Sequence, residues 1–133
     1  MDQYKQYWDG GISGWTISES EHYIIRGEYE SSDLYRKSDG KRVAGIGHFY
    51  GDPEAGIIDK NEKFCVVVGC GVIVYKIKEP FQEYDYDKES EQWYEFGRGP
   101  ENIDWIDEVR QIDDTTVELT DADGNKRILE IEI

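Results

Sequence analysis

Residues 64–78 read Phe64-Cys65-Val66-Val67-Val68-Gly69-Cys70-Gly71-Val72-Ile73-Val74-Tyr75-Lys76-Ile77-Lys78, the most apolar run in a polar chain. A helix here would carry two interior glycines and seven β-branched residues, both of which work against helical backbone. Each half instead has the length and composition of a strand buried on both faces. Gly69-Cys70-Gly71 then reads as a tight turn or bulge between two central strands.

The flanks repeat that rhythm more weakly. Trp15–Ser18, Glu21–Gly27, Asp33–Lys37, Arg42–Tyr50 and Gly56–Asp59 read as short strands. Ser38-Asp39-Gly40-Lys41 has hairpin-turn chemistry, and Asp59-Lys60-Asn61-Glu62 reads as the turn into the central run. Before them, Tyr4, Tyr7 and Trp8 have the spacing of a short helix or turn. At the other end, Val117 and Leu119 alternate with polar residues, as do Leu129, Ile131 and Ile133. With Asp121-Ala122-Asp123-Gly124-Asn125 between them, this is strand, turn, strand.

Three echoes suggest an internal repeat. Glu21-His22-Tyr23-Ile24-Ile25 reappears as Glu62-Lys63-Phe64-Cys65-Val66, 41 residues later, and Leu34-Tyr35-Arg36 as Val74-Tyr75-Lys76. Asp39-Gly40-Lys41-Arg42 is echoed near Asp123-Gly124-Asn125-Lys126-Arg127. The spacing resembles that of β-propeller blades, although hairpin periodicity alone produces similar echoes. The expectation is one mainly-β domain over 1–133 with little helix. It is an antiparallel meander of short hairpins, partial-propeller-like, forming a curved sheet or two packed sheets. Its core lies around 21–78, its acidic aromatic loop-rich segment over 79–108, and its last hairpin over 115–133.

The chain has 133 residues, enough for one real core. Hydrophobic residues are 38%, which is low, but aromatics are 14%, so Tyr and Trp carry much of the burial. Thirty acids against 15 bases give a net charge of −15. That balance opposes binding to nucleic-acid backbones or anionic membranes and suits a basic protein partner. No N-terminal apolar stretch has the length of a signal peptide, and no run is long enough to cross a bilayer. Cys65 and Cys70 sit inside the apolar run and read as free buried thiols, which fits a cytoplasmic protein.

Motif chemistry is sparse. His48 with Asp52 could form an acid–base pair, but a strand-end histidine beside a turn aspartate is the simpler reading. Asp121–Asn125 begins like a calcium loop but sits between strands rather than helices, so a hairpin turn is preferred. No cofactor or metal is expected. The functional weight falls on Glu79–Glu108, where eleven acids face Lys88 and Arg98 for a net of −9. The candidate partner-binding residues are Tyr84, Asp85, Tyr86, Asp87, Glu89, Glu91, Trp93, Tyr94, Asp104, Trp105, Asp107 and Glu108. Aromatics anchor interfaces, and carboxylates make charge-assisted bonds to Arg and Lys. Alternation over Glu83–Asp87 would place Tyr84 and Tyr86 on one face and the acids on the other.

Small, acidic, aromatic-rich and motif-free, the chain resembles in class and character the immunity proteins that bacteria make against polymorphic toxins. That resemblance implies a non-enzymatic inhibitor that covers the active site of a basic toxin domain such as a nuclease. Its carboxylates would occupy positions that otherwise receive phosphates. The alternative is a small carbohydrate-binding or hydrolytic module that uses paired carboxylates and exposed aromatics.

Overall fold

The computed structural model describes residues 14–99 and 102–132. Tyr4, Tyr7, Trp8 and Ile133 lie outside the described residues. The protein is all-β, and every strand pairing is antiparallel. Strands β1 (Trp15–Glu19), β2 (Tyr23–Glu28), β3 (Ser31–Arg36) and β4 (Arg42–His48) form one meander. Strands β5 (Ala55–Ile58), β6 (Phe64–Gly69), β7 (Gly71–Lys76) and β8 (Trp93–Phe96) form a second. A two-stranded ribbon, β9 (Arg98–Gly99) with β10 (Asn102–Ile103), leads to a third meander. That one holds β11 (Ile106–Asp113), β12 (Thr116–Asp121) and β13 (Lys126–Glu130). Among the described residues none of the sheets closes into a barrel.

The central run behaves as its composition requires. Every residue from Phe64 to Tyr75 is buried. Gly69 pairs with Gly71, so β6 and β7 join through Cys70 alone. Gly71 has φ +88°, and a Cβ there would come 2.8 Å from the Phe96 carbonyl oxygen and 2.9 Å from that of Gly97. Only glycine meets both the left-handed backbone and the close approach.

Alternation along these strands gives the second sheet two apolar faces. Cys65, Val67, Ile73 and Tyr75 meet Ile25, Leu34, Ala44 and Ile46 of the first sheet. Phe64, Val66, Val68, Val72 and Val74 meet Ile106, Val117, Leu119 and Ile131 around the third. The domain is therefore three layers deep, with the second sheet in the middle. The expected curved sheet or two packed sheets become three stacked meanders, because one apolar run supplies both faces of a middle layer.

The 41-residue echo is a repeat of structure. β2 and β6 are each the second strand of their sheet, and β3 and β7 each the third. Packing direction repeats as well. Ile25 and Leu34 face the second sheet, while their counterparts Val66 and Val74 face the third. The sheets stack in one sense, like successive blades of an open array. The Asp-Gly echo has no such meaning: it joins third to fourth strand in the first sheet and second to third strand in the last.

Turn residues tie each layer to the next. Glu62 accepts hydrogen bonds from the Ser20 hydroxyl and the His22 backbone N–H, and pairs with His22 Nδ1 at 2.6 Å. Asp59, fully buried, accepts from Gln111 Nε2 at 2.7 Å, and Lys60 Nζ pairs with Asp114 at 2.7 Å. Between β7 and β8, residues 77–92 form a strap across the edge of the first sheet. The Tyr84 N–H donates to the Gly45 carbonyl at 2.8 Å, and Glu83 accepts from the Gly45 N–H at 2.8 Å. Arg42 holds Glu83 with two hydrogen bonds and also reaches Asp33. The open edge of β4 is thereby covered. Cys65 and Cys70 are both free and buried, and burial pushes the Cys65 thiol well above its usual range.

Candidate functional site

One end of the layered domain gathers aromatic side chains that the core does not absorb. Tyr29 and Glu30 form the β2–β3 turn, and His48 ends β4 with Phe49 and Tyr50 just beyond it. Tyr86 sits at the tip of the strap. Together with Glu95 of β8 and Arg98 of β9, the residues Glu30, His48, Phe49, Tyr50 and Tyr86 line a cleft of about 580 Å3. Tyr29, Tyr50 and Tyr86 are 73%, 77% and 72% exposed. Such exposure is unusual for side chains of this size, because each leaves a large apolar face in water.

The floor of the cleft is fixed. The Arg98 guanidinium lies 4.7 Å from the centre of the Phe49 ring. It donates to the Cys70 carbonyl at 2.7 Å and to the His48 carbonyl, and pairs with Glu95 at 2.6 Å. Glu95 in turn accepts the Tyr84 hydroxyl at 2.7 Å. Burial, and then the Glu95 carboxylate, push the Tyr84 phenol up from its ordinary value, so it remains a donor. At the rim, Glu30 accepts the Gly51 N–H at 2.6 Å and ties the two aromatic-bearing turns together. Tyr29 has φ +52°, a left-handed conformation that costs an aromatic residue roughly 1 kcal/mol.

The sequence-expected residues divide among three places. Tyr84 and Trp93 belong to the interior. Trp93 is 5% exposed, with its ring 6.3 Å from that of Tyr75 and 5.3 Å from that of Tyr84. It packs between Tyr75 and Tyr84 as part of the core. Tyr94 is half-buried against the third sheet, where its hydroxyl accepts the Glu132 N–H at 3.1 Å. Asp85, Tyr86, Asp87, Glu89 and Glu91 are on the strap, with Asp85 accepting the Asp87 N–H to form its tip. The expected alternation is absent there: the strap is not a strand, and Tyr84 points inward while Tyr86 is exposed.

Asp104 and Trp105 cap the central turn. The Asp104 carbonyl accepts the Gly71 N–H at 2.7 Å, its side chain faces Arg127 at 3.4 Å, and Trp105 bridges Cys70 while remaining 49% exposed. Asp107 and Glu108 lie on β11 in the third sheet, exposed and away from the strap. Glu108 lines a separate shallow depression with Arg110, Glu118 and Lys126.

Sequence reading passed over Tyr29, Glu30, Tyr50 and Arg98. The available signal was an aromatic inside a polar turn, as in Gly27-Glu28-Tyr29-Glu30-Ser31 and Phe49-Tyr50-Gly51-Asp52. His48 and Asp52 are both exposed and form no ion pair with each other among the described residues. The described residues also contain no group of three or more His, Cys, Asp or Glu side chains placed to hold a metal ion. The Asp121–Asn125 segment is a hairpin turn, in which Asp121 accepts the backbone N–H groups of Asp123 and Asn125. No helix of the described residues is long and apolar enough to cross a membrane. Comparison with protein-family models finds none that matches the chain, and no curated protein is significantly similar to it.

Proposed function

We propose that the protein is an inhibitory binding module for a basic protein partner, of the immunity type, acting through the tyrosine-rimmed cleft. The observation that carries this reading is a cleft lined by Tyr50 and Tyr86, both more than 70% exposed, with the equally exposed Tyr29 next to its lining residue Glu30 in the β2–β3 turn, and with a floor locked by Arg98, Glu95 and Tyr84. Tyrosines on a rigid base suit protein recognition, since they bury much area while losing little rotamer freedom. The net charge of −15 speeds encounter with a basic surface. Glu30 at the rim and Asp85, Asp87 and Glu89 on the strap supply acceptors for Lys and Arg. On a nuclease-like toxin these carboxylates would stand where substrate phosphates bind.

The test is affinity capture from the source cell with the wild-type chain and with a Tyr29→Ala/Tyr50→Ala/Tyr86→Ala variant, eluted in a salt gradient. The expected result is one basic protein retained by the wild type, released at high salt, and at least tenfold weaker on the variant. Its toxic or hydrolytic activity is expected to be suppressed in the complex. Equal retention by both proteins would move the interface elsewhere, and a partner whose activity survives binding would remove the inhibitor role.

A further inference from the structure

We infer that the open edge of the third sheet pairs with the same edge of a second copy of the chain, antiparallel, about a twofold axis at Ile128. The first and second sheets have four strands each, whereas the third has three and ends on β13. No described strand pairs with the outer edge of β13. In the first sheet the outer edge of β4 is covered by the strap.

The hydrogen-bond phase of β13 determines which of its groups are free. The Ile131 N–H donates to the Thr115 carbonyl, and the Asp121 N–H to the Asn125 carbonyl. The β12–β13 register between these points has no shift. Hydrogen-bonded pairs therefore fall at Val117↔Leu129 and Leu119↔Arg127, and the alternate pairs turn their backbone groups away. Lys126, Ile128 and Glu130 are those alternate residues, so their N–H and C=O groups point to the open edge.

The same three residues share the outer face of the sheet and form a self-complementary series. With a twofold axis at Ile128, Lys126 faces Glu130 of the second copy, Ile128 faces Ile128, and Glu130 faces Lys126. Each pair falls in hydrogen-bonding phase. Two ion pairs then flank an apolar contact, the isologous arrangement a twofold requires. Ile128 is 63% exposed in the single chain, one of its large apolar side chains left in water. β13 also carries two bases against one acid in a chain of net charge −15, so the strand itself does not add to the negative charge. Twofold axes at the neighbouring positions place Ile128 opposite Lys126 or opposite Glu130, and lose the matched series.

A five-residue edge is small, so association is expected at micromolar to millimolar concentration. Sedimentation velocity across that range tests it at moderate salt. Wild type is expected to shift from monomer to dimer. Glu130→Lys places like charges opposite each other at both ends and is expected to weaken association at least tenfold. Lys126→Glu combined with Glu130→Lys restores the opposite-charge pairs and is expected to recover it. Circular dichroism confirms that each variant is folded. A wild type that stays monomeric at millimolar concentration overturns the inference. So does a dimer indifferent to Glu130→Lys, or one that the double exchange fails to restore.

Discussion

His22 shows how a single exposed residue can join two layers. It sits on the β1–β2 turn, and its partner Glu62 sits on the β5–β6 turn, 40 residues away in sequence. Hydrogen bonding and charge from Glu62 raise the imidazole pKa above its ordinary 6.5. Burial alone would push the Glu62 carboxyl up, but the hydrogen bonds from Ser20 and His22 outweigh it and hold Glu62 below its ordinary 4.5. A raised histidine pKa stabilises the fold fully below the unfolded-state value and stops doing so as pH rises through the folded value. Both groups are charged above the lowered Glu62 value and below the raised His22 value. The melting temperature of wild type is therefore expected to exceed that of His22→Gln most at pH between about 5 and 6.5, and the gap should close above the raised pKa. A gap that is constant from pH 5 to pH 9 would mean that the charge of His22 contributes nothing. Glu62 also has φ +58°, a left-handed backbone. Its neighbours in sequence gave no hint of this pairing, because the contact is set by the stacking of two sheets.

At the scale of elements, legibility followed period. The central strands were readable because runs of Val and Ile between glycines admit few alternatives. The last hairpin was readable because Val117 and Leu119 alternate cleanly and both are buried. β11 was not. Ile106 and Val109 both face the second sheet although three positions separate them, because a register shift between Ile106 and Glu108 turns the strand over. A bulge erases the period-two signal, so the strand read as the tail of an acidic loop. The candidate site suffered from a related problem. Trp93 and Tyr94 look like interface residues by composition, yet they form a fourth strand packed into the core. The strap itself makes a testable element. Glu83 anchors it by accepting the Gly45 N–H and two hydrogen bonds from the Arg42 guanidinium, which hold the carboxyl below its ordinary range. Glu83 is 59% exposed, so solvent weakens the ion pair. Glu83→Ala is expected to cost about 1 kcal/mol and to speed amide exchange at Gly45, leaving the amides of β6 and β7 protected. Unchanged exchange at Gly45 would show that the strap is held by other residues.

The whole molecule depends on its middle layer. β6 offers Val67 to the first sheet and Val66 to the third, one residue apart and on opposite faces. Both are essentially inaccessible, at 1% and 0% exposure. Truncating either removes two methyl groups from a close-packed interior and leaves a void, at a cost of roughly 1.5–3 kcal/mol. The position of the void differs: Val67→Ala loosens the interface with the first sheet, Val66→Ala that with the third. Were the layers separable units, each variant would release a different sheet, and circular dichroism and tryptophan fluorescence would report different midpoints. Several ties argue against separation. Glu62 joins the first layer to the second, Asp59 the second to the third, and Arg98 joins the β4 end to the central turn. Neither outer sheet can expose its inner face without also baring one face of the shared middle sheet. We therefore expect both variants to unfold in one transition with coincident midpoints by both probes, each lowered by roughly 4–10 °C for a domain of this size. A biphasic curve for Val66→Ala would show that the third sheet folds onto a two-layer core that is stable without it. That outcome would also give the open β13 edge a second way to find a partner, since a released third sheet can exchange between copies.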